Sequence, residues 1–309
     1  MPNREGSGTQ SVAALAPIAR HNLIDVLRAG ARSIRALTRI ARHNLIGVLG
    51  AAIVLALMLV ALFAAQISPF DPNTQVGRRL IPPGGPYLLG LDQLGRDVFS
   101  RLVFGTRVAL GVGVTSVGVA LLAGVSLGVV AGYYGGLTDN VIMRAMDLLF
   151  TLPSFVMALV LAGILGPSLL NVVIAIALVT TPSIARIARG PVLAVREAEF
   201  VTSARLTGAR DRRIMFRHVL PNILAPIIVQ TTVSMADAIL IEAGLSFLGL
   251  GVVPPDTSWG NMLGVGRAFM ELANGLSVFP GAAIMLAVLG FNFAGDGLRD
   301  LLDPRLRGV

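Results

Sequence analysis

The chain has 309 residues, 54% hydrophobic and only 14% charged, where a soluble domain carries about a quarter charged residues; this excludes a soluble globular protein and predicts a polytopic membrane protein. Its net charge of +8 is not a nucleic-acid footprint, because seven arginines in residues 1–44 face only Glu5 and Asp25, and a basic tail beside a membrane span sets orientation and can touch anionic lipid. There is no cysteine, and every basic residue is arginine, which excludes disulfides, thiolate metal sites, a P-loop ATPase and a lysine Schiff base.

Residues 1–17 are polar or small. Ile18–Ile24 then recurs as Ile40–Ile46, both reading IARHNLI. Between the copies Leu23, Leu27, Ile34, Leu37 and Ala41 keep roughly helical spacing with arginines on other faces, which suits an amphipathic helix on the membrane surface; a local duplication that merely lengthens the tail is the alternative. The first strong apolar run begins too late, and is too long, for a signal peptide. Six spans of roughly 20 residues are predicted at 45–65, 108–130, 148–166, 169–186, 222–247 and 276–295. The expected organisation is a basic tail (1–44), a first span with its external linker (45–107) and a five-span core (108–309) carrying a charged loop at about 187–221.

The linker contains Leu89-Gly-Leu-Asp92-Gln-Leu-Gly95-Arg96-Asp97, then Ser100-Arg101-Leu102. These charges preclude a span, and the spacing suits a short interfacial helix after Gly95. In span two, Gly124, Gly128 and Gly132 recur every four residues. Glycines stacked on one face let a second helix approach closely, so a helix seam is expected there.

The densest charged stretch, Pro191–Asn222, holds six arginines against Glu197, Glu199 and Asp211. Lying between spans with an excess of positive charge, it is expected on the cytoplasmic side. Alternation then puts both termini inside as well. Glu199–Leu206 reads as a helix ended by Gly208. Asp211 is expected to cap a second helix, with Ile214 and His218 one turn apart and Pro221 ending it. The result is a compact knob with a glycine corner.

Span five carries Asp237 near its middle and Glu242 toward its outer end. Carboxylates at membrane depth are expensive and face a polar cavity or a partner, so the expected roles are lining a path or bonding to a neighbouring helix or second subunit. Trp259, after Pro254-Pro255-Asp256, is expected to be an interfacial anchor or a contact for an external protein.

The knob resembles the ATPase-docking loop of binding-protein-dependent ATP-binding-cassette importers. Ala204, Gly208, Leu220 and Pro221 occupy that pattern, whereas Thr202 stands where the family carries glutamate. Glu199-Phe-Val, Ala204-Arg and Phe216-Arg-His-Val-Leu-Pro-Asn222 are similar to the peptide and nickel branch. The Leu89–Asp97 stretch, Ser68-Pro-Phe70 and Gly295-Asp-Gly-Leu-Arg299-Asp-Leu-Leu-Asp303-Pro-Arg305 resemble the C-type permease of dipeptide and oligopeptide importers, so the likeness covers about residues 45–307. It implies an all-α permease with six spans in a bacterial inner membrane, and ATPase coupling through Glu199, Ala204, Gly208, Asp211, Leu220 and Pro221. It implies as partners a second homologous permease, two cytoplasmic ATPase subunits that bind the ATP and magnesium, and an external substrate-binding protein.

The function expected is that of a subunit importing dipeptides or oligopeptides, with nickel or a nickel chelate as the alternative cargo and no cofactor or metal on this chain. An integral-membrane enzyme is disfavoured, since His21, His43 and His218 lie scattered in basic segments and form no metal-ligand pattern. A stand-alone ion-coupled carrier would use Asp237 and Glu242 but leaves the knob without a purpose.

Overall fold

The computed structural model describes residues 44–253 and 255–302. The described residues from Ile46 onward form one compact unit. Residues 1–43, with the amphipathic helix expected there, lie outside the described residues. The described helices are α1 Leu45–Leu62, α2 Ala64–Ile67, α3 Val98–Tyr134, α4 Gly136–Leu149, α5 Ser154–Leu165, α6 Leu169–Val195, α7 Glu199–Leu206, α8 Asp211–Ile214, α9 Leu224–Phe247, α10 Trp259–Gly266 and α11 Gly275–Leu302. Two isolated bridges, Gly84–Tyr87 and Leu91–Asp97, are the only extended pairing among the described residues.

The second span is longer than its apolar run suggested. α3 has 37 residues, about 55 Å at 1.5 Å per residue, against a hydrocarbon core of about 30 Å. The interfacial helix expected after Gly95 is not separate; it forms the first turns of α3. Asp97 caps it, its Oδ2 accepting from the Ser100 N–H at 2.8 Å and the Ser100 hydroxyl at 2.6 Å. The arginines that argued against a span are absorbed locally. Arg101 donates to the Pro72 carbonyl and approaches Asp92, and Arg107 donates to the Ala61 and Leu62 carbonyls at the end of α1.

Span three is broken. α4 and α5 meet at a bend of 80°, and residues 136–147, expected as part of a loop, are helical. The acidic side chains of α4 explain why α6 continues past its predicted end at 186. Arg186 pairs with Asp147, and Arg189 with Asp139, so charges that looked like a loop are satisfied on a helix. The charged loop therefore begins near residue 196 and not near 187.

The glycines of α3 fix the direction of its neighbour. A Cβ at Gly124 would meet Thr181 and Ile184, one at Gly128 would meet Ala185 and Ala188, and one at Gly132 would meet Arg189 and Val192. Both helices advance in steps of four in the same sense, so α3 and α6 run parallel. Whatever joins them must cross back once, and the only helical material available is α4 with α5. On the other side of the bundle α1 packs on α11: Cβ atoms at Gly50, Gly290 and Gly297 would meet Phe293 and Ala294, Ile53, and Gly47 respectively. Here one helix ascends as the other descends, an antiparallel pair. First and last spans are antiparallel only when the number of crossings is even. Five helices are individually long and apolar enough to cross, and six if the bent pair counts as one span; the helix directions select six.

One apolar core joins α3, α5, α6, α9, α10 and α11 through residues such as Val112, Ile176, Ile239, Leu245 and Ala287. A second core lies under the knob.

Candidate functional site

The knob begins at α7, which has the residue limits expected from sequence. Its end is a Schellman motif. The Ala209 N–H donates to the Ala204 carbonyl at 3.0 Å and the Gly208 N–H to the Arg205 carbonyl at 2.9 Å, with Gly208 at φ +81°. That left-handed backbone suits glycine.

The second half of the knob differs from expectation. Asp211 does not cap α8; the preceding residue, Arg210, occupies the cap position and makes no side-chain cap bond. Instead the Asp211 carboxylate accepts from the Tyr133 hydroxyl at 2.8 Å, while the Arg205 guanidinium lies 5.1 Å over the Tyr133 ring. Nor does Pro221 end the helix. α8 passes into a π-helical turn, Met215–Val219, and a 3-10 turn, Leu220–Ile223, before α9 begins. A proline inside a regular helix would lose a hydrogen bond and clash with the preceding turn; the change of pitch accommodates it, and the Asn222 side chain donates to the His218 carbonyl at 2.6 Å. Asp211–Phe247 is thus one helical path of 37 residues.

Underneath, Val201, Ile214, Val219 and Ile223 are fully buried and pack with Val129 and Tyr133 of α3 and Ala188 and Val192 of α6. Arg196 secures the entry by donating to the Gly132 carbonyl at 2.9 Å. At the end of α7 Leu206 is 84% exposed, while Phe216, 70% exposed, lines an apolar groove with Leu121, Leu122 and Val125 of α3. Of the residues expected to couple, Glu199, Gly208, Asp211 and Pro221 are exposed, and Ala204 and Leu220 half-buried.

At membrane depth, α6, α9 and the α4–α5 bend enclose a cavity of about 310 Å³. Gln230, Ser234 and Asp237 line it from α9, Thr180 and Ser183 from α6, and Phe155 from α5. The Gln230 amide nitrogen donates to the hydroxyls of Ser183 at 3.2 Å and Ser234 at 3.3 Å. Asp237 is exposed.

Glu242 does not share this cavity. It is fully buried, accepting from the Ser246 hydroxyl at 2.7 Å; Ser246 in turn accepts from the Val252 N–H, tying the following loop back to α9. Glu242→Gln is expected to fold normally, because the amide oxygen still receives Ser246. Glu242→Lys, which leaves a buried unpaired charge and costs about 3–5 kcal/mol, should remove most of the folded protein. Comparable yields of the two variants after detergent extraction would refute this bracing role.

On the side opposite the knob, the Leu89–Asp97 motif is a structural clasp. Asp92 Oδ1 accepts from the Leu94 and Arg96 N–H groups at 2.8 and 2.9 Å, and Oδ2 from Arg96 Nε at 2.8 Å. Trp259 is neither an exposed anchor nor a docking residue: it is 1% exposed, lies against Gly105 and donates to the Leu102 carbonyl at 2.9 Å. Sequence reasoning missed the Tyr133–Asp211 bond and the Arg186–Asp147 and Arg189–Asp139 pairs. An excess of opposite charges at helical spacing on residues 139–147 and 186–189 was the available signal for the last two.

A family model described as "Binding-protein-dependent transport system inner membrane component" matches residues 124–308, and one described as "N-terminal TM domain of oligopeptide transport permease C" matches residues 35–83. The chain is 45% identical over 259 residues to a "Dipeptide transport system permease protein DppC" of Alkalihalophilus pseudofirmus, covering 84% of this chain and 85% of that protein. It is 45% identical over 267 residues to a "Di/tripeptide transport system permease protein DppC" of Pseudomonas aeruginosa, covering 84% and 88%. A "Glutathione transport system permease protein GsiD" of Pectobacterium atrosepticum is 42% identical over 256 residues, covering 82% and 85%.

Proposed function

The chain belongs to the binding-protein-dependent transport system inner membrane components, and from that premise we propose that it is the C-type permease subunit of an ATP-driven importer of dipeptides or oligopeptides. The observation that carries the reading is the continuity of the helical path from Asp211 to Phe247. A push on the knob is delivered along that path to Asp237, about 39 Å away at 1.5 Å per residue.

The knob side is cytoplasmic in this reading, with both termini inside. Of two ATPase subunits, which hold the ATP and magnesium, one seats on this knob at the exposed Leu206 and beside Glu199 and Pro221. Gly208 keeps α7 and α8 at a fixed angle, and Asp211 on Tyr133 ties the knob to α3, so closure of the ATPases tilts spans instead of deforming the loop. Gly124, Gly128 and Gly132 carry that motion from α3 to α6 as one body. A second homologous permease covers the open face of α9, and the path runs between the two subunits, first open to the external binding protein and then to the cytoplasm. Glu242 stands outside this path as a brace. The relatives' names refer to peptides, which favours peptide over nickel as cargo.

Proteoliposomes carrying the complete complex should accumulate a dipeptide only with receptor on one side and ATP on the other. In this cysteine-free chain a cysteine at Arg210 should mark the ATP side and one at Asn73 the receptor side when probed with an impermeant thiol reagent. Labelling of both from the same side, or uptake without ATP, overturns the reading.

A further inference from the structure

We propose that Asp237 is the subsite for the ammonium end of the cargo, so that this subunit reads the free N-terminus of a peptide; the proposal rests on the peptide-permease reading above. Asp237 lies ten residues before the end of α9 at Phe247, about 15 Å along the axis, which is deep in a hydrocarbon core of about 30 Å. An ionisable group at that depth does not face acyl chains, yet Asp237 is exposed in the subunit. Its face is therefore covered by water or protein.

Around it the surface is built for a polar guest. Gln230, Ser234 and Asp237 stand at i, i+4 and i+7, a single stripe of α9 about 10 Å long, and Thr180 and Ser183, three apart on α6, face the same space. Gln230 spends its amide donor on the Ser183 and Ser234 hydroxyls, which fixes the ladder. Asp237 is the only charged residue lining the cavity. The nearest candidate counter-ion by sequence, Arg186, one turn beyond Ser183 on α6, is paired with Asp147 and stacked 4.4 Å over the Phe150 ring. The lining thus presents one negative charge, hydroxyls and an aromatic wall held by the close approach of Phe155 to Gly244.

That chemistry selects a primary ammonium over a carboxylate. It also disfavours a metal ion, since no group of three His, Cys, Asp or Glu able to hold one occurs among the described residues. At about 310 Å³ the cavity is at the small end of ligand sites, which run about 300–1,000 Å³, and it accommodates one end of a peptide while the rest lies against the second subunit.

The test compares uptake of Ala-Ala with N-acetyl-Ala-Ala by the reconstituted complete complex, for wild type, Asp237→Asn and Asp237→Glu. The receptor is the same throughout, so a change in the ratio between the two peptides belongs to the permease. We expect the preference for the free amine to fall about tenfold in Asp237→Asn, the order set by losing one charge-assisted contact, and to be largely retained in Asp237→Glu. An unchanged ratio in Asp237→Asn overturns the subsite. So does loss of intact complex in Asp237→Asn with recovery in Asp237→Glu, which assigns the carboxylate to a contact between subunits. Failure of the wild-type complex to import either peptide would instead remove the peptide-permease reading, and the subsite with it.

Discussion

Gly208→Val is expected to abolish receptor-stimulated ATP hydrolysis while the complex still inserts and assembles. Gly208 sits at φ +81°, and a Cβ placed there meets no atom within 4 Å. The penalty is therefore conformational: about 1–3 kcal/mol for a side chain held in the left-handed region, and highest for a β-branched one. The cheapest escape is to abandon the Schellman turn, losing the Ala209-to-Ala204 and Gly208-to-Arg205 bonds and freeing α7 from its angle to α8. None of the residues buried beneath the knob need move, since Val201 and Ile214 anchor their helices separately. A substitution series makes this sharper. Asparagine visits the left-handed region more readily than other side chains, so coupling should decline in the order Gly, Asn, Ala, Val, with yield nearly constant. If stimulation by loaded receptor is normal in Gly208→Val, the corner does not set the knob's geometry. If yield falls in step with stimulation, the effect is one of folding.

How far the sequence reveals this molecule depends on whether the relevant interaction is local. α7 and its glycine stop were legible because helix, cap and φ requirement lie within ten residues. The seam of Gly124, Gly128 and Gly132 was legible as periodicity, although its partner α6 was not. Asp211 reads as a cap because a carboxylate at the start of a short helix looks like one, while its hydrogen-bond partner, Tyr133, is 78 residues away. Pro221 reads as a terminator because proline breaks regular helices, and nothing local announces that a π turn precedes it. Span ends share the limitation: Arg101, Arg107, Arg186 and Arg189 stand at or outside the expected span limits, and only the fold brings Pro72, Ala61, Asp147 and Asp139 to them. Glu242 and Asp237, five residues apart, differ in expected depth but share the same candidate roles. Five residues turn a helix by about 500°, or 140° net at 3.6 residues per turn, which places one toward Ser246 inside the bundle and the other on its open face.

The second large effect is expected at the seam itself. Gly128→Val should remove nearly all folded complex, because a Cβ at this position would overlap the Ala185 carbonyl oxygen and stand 2.9 Å from the Ala188 Cβ. The obstacle is backbone, which cannot rotate aside as a flexible side chain would. α3 and α6 would have to separate along a contact that also includes Gly124 and Gly132, and in a bilayer no hydrophobic drive compensates for lost van der Waals contact between helices. Overpacking of this kind typically costs about 1–3 kcal/mol and occasionally more; the closeness of the carbonyl places this site at the upper end. Gly111, on the same helix, supplies the control, since a Cβ there meets nothing within 4 Å. Gly111→Ala should be neutral or stabilise by up to about 1 kcal/mol through better helix propensity, whereas Gly128→Ala, the same chemical change, should lower the thermal midpoint of the detergent-solubilised complex. Equal midpoints for the two alanine variants would mean that α3 and α6 are not in backbone contact at Gly128, and the parallel register from which six crossings were deduced would lose its main support.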